Sequence, residues 1–214
     1  AVWVQSIRDI VASWNGPGIH PAHACAAVGE VFGRDAVYVA DGGNTSLWAA
    51  LALPSTRPSS YHSILEFGML GTGIPSAIGA KFGAPDREVV CITGDGAAGF
   101  NVMELQSAAR DGIKITVVVM AEGEWTMEIP NEMARYGQTF GTKMGDVRWD
   151  IVAQGLGCHG EIVQSIVELP AALERAQHSD RPALVCVRTS TEANLAVPQE
   201  IVGRFFEVYF GPAA

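Results

Sequence analysis

Positive charge is scarce in this chain of 214 residues: 14 Lys and Arg face 23 Asp and Glu, a formal net charge of −9. A pI near 4.9 excludes a surface built to release counterions from a nucleic-acid backbone. No apolar run approaches the ~18 residues of a membrane span. The N-terminus lacks the basic start of a secretory signal. The four cysteines, Cys25, Cys91, Cys158 and Cys186, form no C-x-x-C pair, so sulfur-based metal binding has no motif to rest on. Cys91 and Cys186 sit inside apolar runs, where a free thiol acts as a small core residue. A reduced, cytoplasmic protein is the expectation. Neither G-x-S-x-G nor G-x-x-x-x-G-K-[ST] occurs, which leaves a serine hydrolase or a Walker-type nucleotidase without support. Internal repeats and low-complexity tracts are also missing.

What is abundant is glycine. With 24 residues it makes up about 11% of the chain, against about 7% in ordinary proteins. Eight glycines, from Gly68 to Gly99, crowd into 32 residues. Glycine gathers where backbone must approach something closely or take up positive φ. The cluster therefore points to a ligand cradle, with tight helix–sheet packing as the plainer explanation. The 48% apolar and 17% charged content is that of a folded chain with a full core, in one large domain or two small ones.

Residues Val2 to Trp14 put Trp3, Ile7, Ile10, Val11 and Trp14 on one helical face before the breaker Asn15-Gly16-Pro17-Gly18. This predicts a connector helix and linker over residues 1–18. Strand-like runs follow at Ala36–Ala40, Val89–Thr93, Ile115–Met120 and Ala183–Arg188, with a weaker one at His159–Val163. Helical patterns lie between them, at Pro21–Phe32, Ser46–Leu53, Ile74–Phe82, Asn101–Asp111, Ile151–Leu156 and Glu168–His178. Unbroken Val/Ile runs suit strands covered on both faces, and their alternation with helices predicts an α/β, doubly wound parallel sheet over residues 19–190. Glu122–Trp149 reads as a loop-rich excursion. A C-terminal tail, residues 191–214, carries Ile201, Phe205, Val208 and Tyr209 at helical spacing.

The sharpest local signal is Val89-Val90-Cys91-Ile92-Thr93-Gly94-Asp95-Gly96-Ala97-Ala98-Gly99, a strand running into a glycine turn and a helix. In a parallel unit Asp95 and Glu122, just past successive strands, share one sheet edge, where open α/β sheets bind ligands. The N–H groups of Gly96, Ala97 and Ala98 open the helix as an anion site. Two readings divide here. Gly94-x-Gly96-x-x-Gly99 matches the dinucleotide fingerprint, with Glu122 as the ribose acid. Asp95 would then set a carboxylate beside a pyrophosphate. With a divalent cation between them the same residue becomes useful, because Mg²⁺ is commonly held by carboxylates and substrate phosphates together.

At this point the chain resembles the C-terminal, diphosphate-binding domain of thiamine-diphosphate-dependent enzymes, of the acetolactate-synthase-like branch. The resemblance spans about Ile19 to Ser190. It rests on Asp41-Gly42-Gly43-Asn44-Thr45-Ser46-Leu47-Trp48, on Gly68-Met69-Leu70-Gly71-Thr72-Gly73-Ile74-Pro75-Ser76-Ala77-Ile78-Gly79-Ala80, and on Gly94-Asp95-Gly96. Glu104-Leu105 and the Pro85-Asp86-Arg87 turn match as well. The resemblance implies thiamine diphosphate and Mg²⁺ as cofactors. Asp95 would be the side-chain Mg²⁺ ligand, and Glu124 would offer its backbone carbonyl. Gly94, Gly96 and Ala97 would meet the diphosphate from one side and Gly43, Asn44 and Thr45 from the other. Leu70, beside Met69, would wedge the cofactor into its bent shape, while the Gly68 carbonyl would accept from the aminopyrimidine. The implied substrates are 2-oxo acids, decarboxylated or ligated.

Two departures accompany the resemblance. The family motif usually closes with Asn-Asn, the second Asn being a metal ligand, and here Ala121-Glu122 stands in its place. Glu122 at that spacing would be a carboxylate metal ligand that adds negative charge, so weaker or altered cofactor binding is expected, and Glu122→Asn is expected to improve it. The family's activating glutamate lies on a pyrimidine-binding domain, usually of a neighbouring subunit in an oligomer. The sequence has no such domain, and Glu104 is no substitute, so the isolated chain is expected to be nearly inactive. A non-catalytic, degenerate family member is the alternative. Elsewhere, His20 and His23 stand three apart without a third ligand, His62 could reach the mouth of the site, and Met127 and Met133 could line a substrate pocket. Ordinary surface or core roles suffice for all five.

Overall fold

A computed structural model describes residues 8–64 and 68–196. The outer part of the predicted connector, with Trp3 and Ile7, and the predicted tail helix from Gln199 to Phe210 lie outside the described residues. Residues 8–12 are helical. Six strands follow: β1 (Val37–Asp41), β2 (Tyr61–Ser63), β3 (Val89–Gly94), β4 (Thr116–Ala121), β5 (His159–Val163) and β6 (Ala183–Arg188). They form one sheet in the order β2-β1-β3-β4-β6-β5, with every pairing parallel.

The helices are α1 (Pro21–Phe32), α2 (Gly43–Ala52), α3 (Gly73–Gly83), α4 (Asp95–Asn101), α5 (Glu104–Arg110), α6 (Ile129–Tyr136), α7 (Trp149–Gly155), α8 (Leu169–Gln177) and α9 (Thr191–Leu195). Alternate strand residues feed two separate cores. Tyr38, Ala40, Val90, Ile92, Val118 and Met120 pack with α1, α2 and α8 on one face. Val37, Val39, Cys91, Val117 and Val119 pack with α3, α4, α5 and α7 on the other. The doubly wound α/β sheet is therefore as the Val/Ile runs predict. Burying one such side chain stabilises the fold by roughly 1.5–3 kcal/mol, so the double-sided strands β3 and β4 anchor the molecule.

The differences have local causes. The three-residue edge strand β2 is too short to leave a periodic signal. The helix expected at Asn101–Asp111 is α5, starting at Glu104, and a separate short helix, α4, precedes it with Asp95 in its first turn. α2 opens on Gly43 instead of Ser46. The span read as loop contains α6, whose apolar positions Ile129, Met133 and Tyr136 share one helical face although none of its residues is buried. All four cysteines are free and buried. Among the described residues no helix is long and apolar enough to cross a membrane.

Candidate cofactor site

From β1 the chain leaves toward β2 on one side of the sheet, and from β3 toward β4 on the other. The carboxyl ends of β1 and β3 thus form a topological switch point, the position at which open α/β sheets leave a crevice. Both strands end on the same device, an acid followed by glycine: Asp41-Gly42 and Asp95-Gly96.

Asp41 is 2% exposed and accepts three backbone hydrogen bonds. Its Oδ1 receives Gly42 N–H at 2.8 Å and Gly71 N–H at 3.2 Å, and its Oδ2 receives Gly73 N–H at 2.8 Å. Burial raises the Asp41 pKa, against the lowering by these three donors. The carboxylate ties the glycine block to the end of β1. A Cβ on Gly73 would come within 2.6 Å of the Asp41 Cβ, so only glycine lets the block approach. Asn101 of α4 holds it from the other side through Nδ2 to the Gly71 carbonyl at 2.7 Å. In this way Gly68, Met69 and Leu70 are carried to the rim of the crevice, with Met69 exposed and Leu70 half-buried.

Asp95 opens α4. Its Oδ1 accepts from Gly96 N–H at 2.8 Å, and its Oδ2 accepts from the N–H groups of Glu122 at 2.9 Å and Gly123 at 2.6 Å. The segment after β4 is thereby pinned to the turn after β3, which brings Asp95, Glu122 and Glu124 to one edge. Burial pushes the Asp95 carboxyl up while those backbone donors pull it down. The same segment covers both turns. A Cβ on Gly96 would lie 2.4 Å from the Trp125 ring, and one on Gly43 would lie 2.4 Å from Met127 Sδ.

Glu122 is hydrogen-bonded by side chains of its own chain. Its carboxylate accepts from the Thr189 hydroxyl at 3.0 Å, from Asn194 Nδ2 at 2.8 and 2.9 Å, and from the Thr126 hydroxyl. Burial raises its pKa, opposed by those donors in turn. A carboxylate offers about four acceptor positions, and these four contacts fill them. Among the described residues no cluster of three or more His, Cys, Asp or Glu side chains is arranged to hold a metal ion.

The remaining residues fit a phosphate-bearing ligand. The first-turn N–H groups of α2, at Gly43, Asn44 and Thr45, have no intrahelical acceptors. Beside them Asn44 Oδ1 and Ser46 Oγ are buried without a partner. Thr45 Oγ1 stands against the turn at Gly94, so the openings of α2 and α4 converge. Asp95 supplies the carboxylate a hard cation requires. Beyond β4 and β6 a cleft of about 370 Å³ is lined by Glu122, Gly123, Glu124, Lys143 and Thr189.

The other candidates fall outside this edge or on its rim. His20 is buried as the N-cap of α1, accepting from Ala22 N–H at 3.1 Å. His23 stacks obliquely beside it, and the exposed His62 meets only the Ser59 carbonyl. Glu104 is exposed at the start of α5, and Met133 is exposed on α6. Met127 does reach the site. Sequence pattern alone marks no role for Asp41, Asn101, Trp125, Thr126, Thr189 or Asn194. Asp41 alone had a visible signal, the repeat of the strand-acid-glycine pattern found at Asp95.

Residues 41–187 match the family model "Thiamine pyrophosphate enzyme, C-terminal TPP binding domain". The acetolactate synthase large subunit IlvG of Mycobacterium tuberculosis is 35% identical over 182 residues, which is 85% of this chain and 33% of that protein. A sulfoacetaldehyde acetyltransferase of Alcaligenes xylosoxydans is 30% identical over 162 residues, 75% of this chain and 27% of its own length. A thiamine diphosphate-dependent 4-hydroxybenzoylformate decarboxylase from Rhodococcus jostii superposes with a TM-score of 0.77 at 29% identity, covering 83% of this chain and 34% of that one. The chain thus spans about a third of the length of these relatives. The chain belongs to the thiamine pyrophosphate enzymes through their C-terminal TPP-binding domain.

Proposed function

We propose that this chain supplies the diphosphate- and Mg²⁺-holding half of an active site that decarboxylates or ligates 2-oxo acids, as in acetolactate-synthase-like enzymes. The observation that carries the reading is the convergence of two helix openings at the switch point, with Asn44 and Ser46 buried beside them and lacking partners. Gly43, Asn44 and Thr45 would bind the diphosphate from α2, and Gly94, Gly96 and Ala97 would bind it from α4. Asp95 would ligate Mg²⁺ with one carboxylate oxygen, joined by the Glu124 carbonyl. Gly68, Met69 and Leu70 would face the pyrimidine side. The three backbone donors on Asp95 hold its carboxylate in place before any ligand arrives, which lowers the ordering cost of binding. Cation charge and helix N–H groups together neutralise the anion, so an acidic domain can hold it. When bound, thiamine diphosphate supplies the nucleophilic carbon and the electron sink for chemistry at a 2-oxo carbonyl.

The site would be completed by a pyrimidine-binding domain on the same or a neighbouring chain of a homo-oligomer. The relatives' greater length supports that. The four buried free thiols suit a reducing cytoplasm. Titration calorimetry of Mg²⁺ with thiamine diphosphate tests the reading, with Asp95→Asn as the control. Cation-dependent binding that weakens at least about tenfold in the variant, about 1.4 kcal/mol, is expected. Equal binding by both proteins would overturn it.

One observation favours a second reading, a degenerate member of the family without catalysis. Ala121-Glu122 replaces the usual metal-binding pair, and the Glu122 oxygens are already taken. Wild-type protein with no affinity for Mg²⁺ and thiamine diphosphate would select that reading.

A further inference from the structure

Glu122 stands where a cation ligand is expected, yet its surroundings are those of a structural hub. The direction of each hydrogen bond can be worked out from chemistry alone. The Trp48 indole N–H can only donate, and it meets Asn194 Oδ1 at 2.7 Å. That fixes the orientation of the Asn194 amide and turns its NH₂ toward position 122. The NH₂ contacts both carboxylate oxygens, at 2.8 and 2.9 Å. Thr189 at the end of β6 and Thr126 in the segment after β4 donate the remaining two bonds. Trp48, Thr126, Thr189 and Asn194 are each at most 9% exposed, while Glu122 itself is half-buried and borders the cleft beyond β4 and β6. Position 122 must accept from every direction. A carboxylate does so, whereas an asparagine would set one NH₂ against another and fall one methylene short.

The hub also connects to Asp95. Glu122 N–H and Gly123 N–H are two of the three donors that hold the Asp95 carboxylate. The side chain at 122 therefore fixes the backbone that positions the side chain at 95.

We propose that Glu122 is a positioning residue and not a cation ligand: through Asn194, Thr189 and Thr126 its carboxylate fastens α9 and the segment after β4 to the sheet edge, and so sets the N–H groups that orient Asp95. The cation half of this statement rests on the reading given under Proposed function; the hub half stands without it. The proposal removes the reason to expect tighter cofactor binding from Glu122→Asn, because the loss of the hub would offset any gain in charge.

The test uses the full chain and the Trp48 indole N–H resonance, assigned by its loss in Trp48→Phe. In metal-free protein that N–H is expected to exchange slowly with solvent. Its shift is expected to move in Glu122→Gln. Glu122→Gln and Asn194→Ala should each lower the metal-free unfolding midpoint by about 4 °C or more, and together by less than the sum. Mn²⁺ affinity with thiamine diphosphate should fall by a similar factor in Glu122→Gln and in Asn194→Ala, within about threefold of one another, because both break the hub that orients Asp95. A cation ligand would give the opposite pattern: an affinity loss in Glu122→Gln about tenfold larger than in Asn194→Ala, or a Trp48 resonance that Glu122→Gln leaves unmoved. Either result overturns the proposal, as does a metal-free midpoint that neither substitution moves. Should wild-type protein bind no cation and no thiamine diphosphate, the functional reading fails, while the metal-free midpoints and the Trp48 exchange rate still decide the role of Glu122.

Discussion

His20 makes the pH dependence of stability calculable. The ring is 1% exposed, with Trp48, His23 and Trp14 centroids at 4.9, 5.3 and 5.6 Å. Nδ1 accepts the Ala22 N–H, and Nε2 is buried without a partner. Burial first, and the neighbouring His23 second, push the imidazole pKa down from 6.5 to about 4. A lowered native pKa means that the unfolded chain takes up the proton first as pH falls. The stability linked to His20 is therefore fully present above about pH 6.5, is lost as pH falls toward about 4, and changes no further below that. At about 1.4 kcal/mol per pH unit the loss between pH 7.5 and 4.5 is about 2.5 kcal/mol. His20→Asn keeps an N-capping acceptor and cannot titrate. Urea unfolding followed by tryptophan fluorescence at both pH values should show the wild type losing about 2.5 kcal/mol more than the variant. Equal losses would refute the assignment of a neutral, buried imidazole.

Other perturbations bear on the site itself. Asp41→Asn leaves one acceptor where two are used and turns an NH₂ toward backbone donors; it should cost about 2–4 kcal/mol in thermal unfolding. Because burial holds the Asp41 pKa above its usual value, the stability linked to it is present at low pH and lost as pH rises through the native pKa. The variant should lack that component, and a variant as stable as wild type at pH 7 would contradict the three-bond anchor. Gly96→Ala drives a Cβ against the Trp125 ring. Its emission should shift relative to a Trp125→Phe background, and unshifted emission would show that the ring does not cover the turn.

The layered sheet was legible because its strands are continuous Val/Ile runs, a pattern that only double-sided burial favours. The three blocks of the resemblance lie at the converging ends of β1 and β3, which their residue types already implied. Other parts depended on contacts that no local pattern encodes. Asp41 works through Gly71 and Gly73, about thirty positions along the chain, and the meaning of that acid appears only once the block folds back. Glu122 was read from its spacing to Asp95, but its partners Thr189 and Asn194 follow the neighbouring strand β6, 67 and 72 residues along the chain. Spacing locates a side chain on an edge. It does not say which neighbours take up its lone pairs. α6 does carry an apolar stripe, Ile129, Met133 and Tyr136 at i, i+4 and i+7, but none of its residues is buried.

The central claim is that the crevice between β1 and β3 binds a diphosphate through a divalent cation. Thermal unfolding of the chain with Mg²⁺ alone, with thiamine diphosphate alone, with both, and with NAD(H) tests it directly, because a ligand specific to the native state raises the midpoint. The account predicts a rise only when Mg²⁺ and thiamine diphosphate are present together, and none in Asp95→Asn. A rise with NAD(H), or an unchanged midpoint under all four conditions, would contradict it.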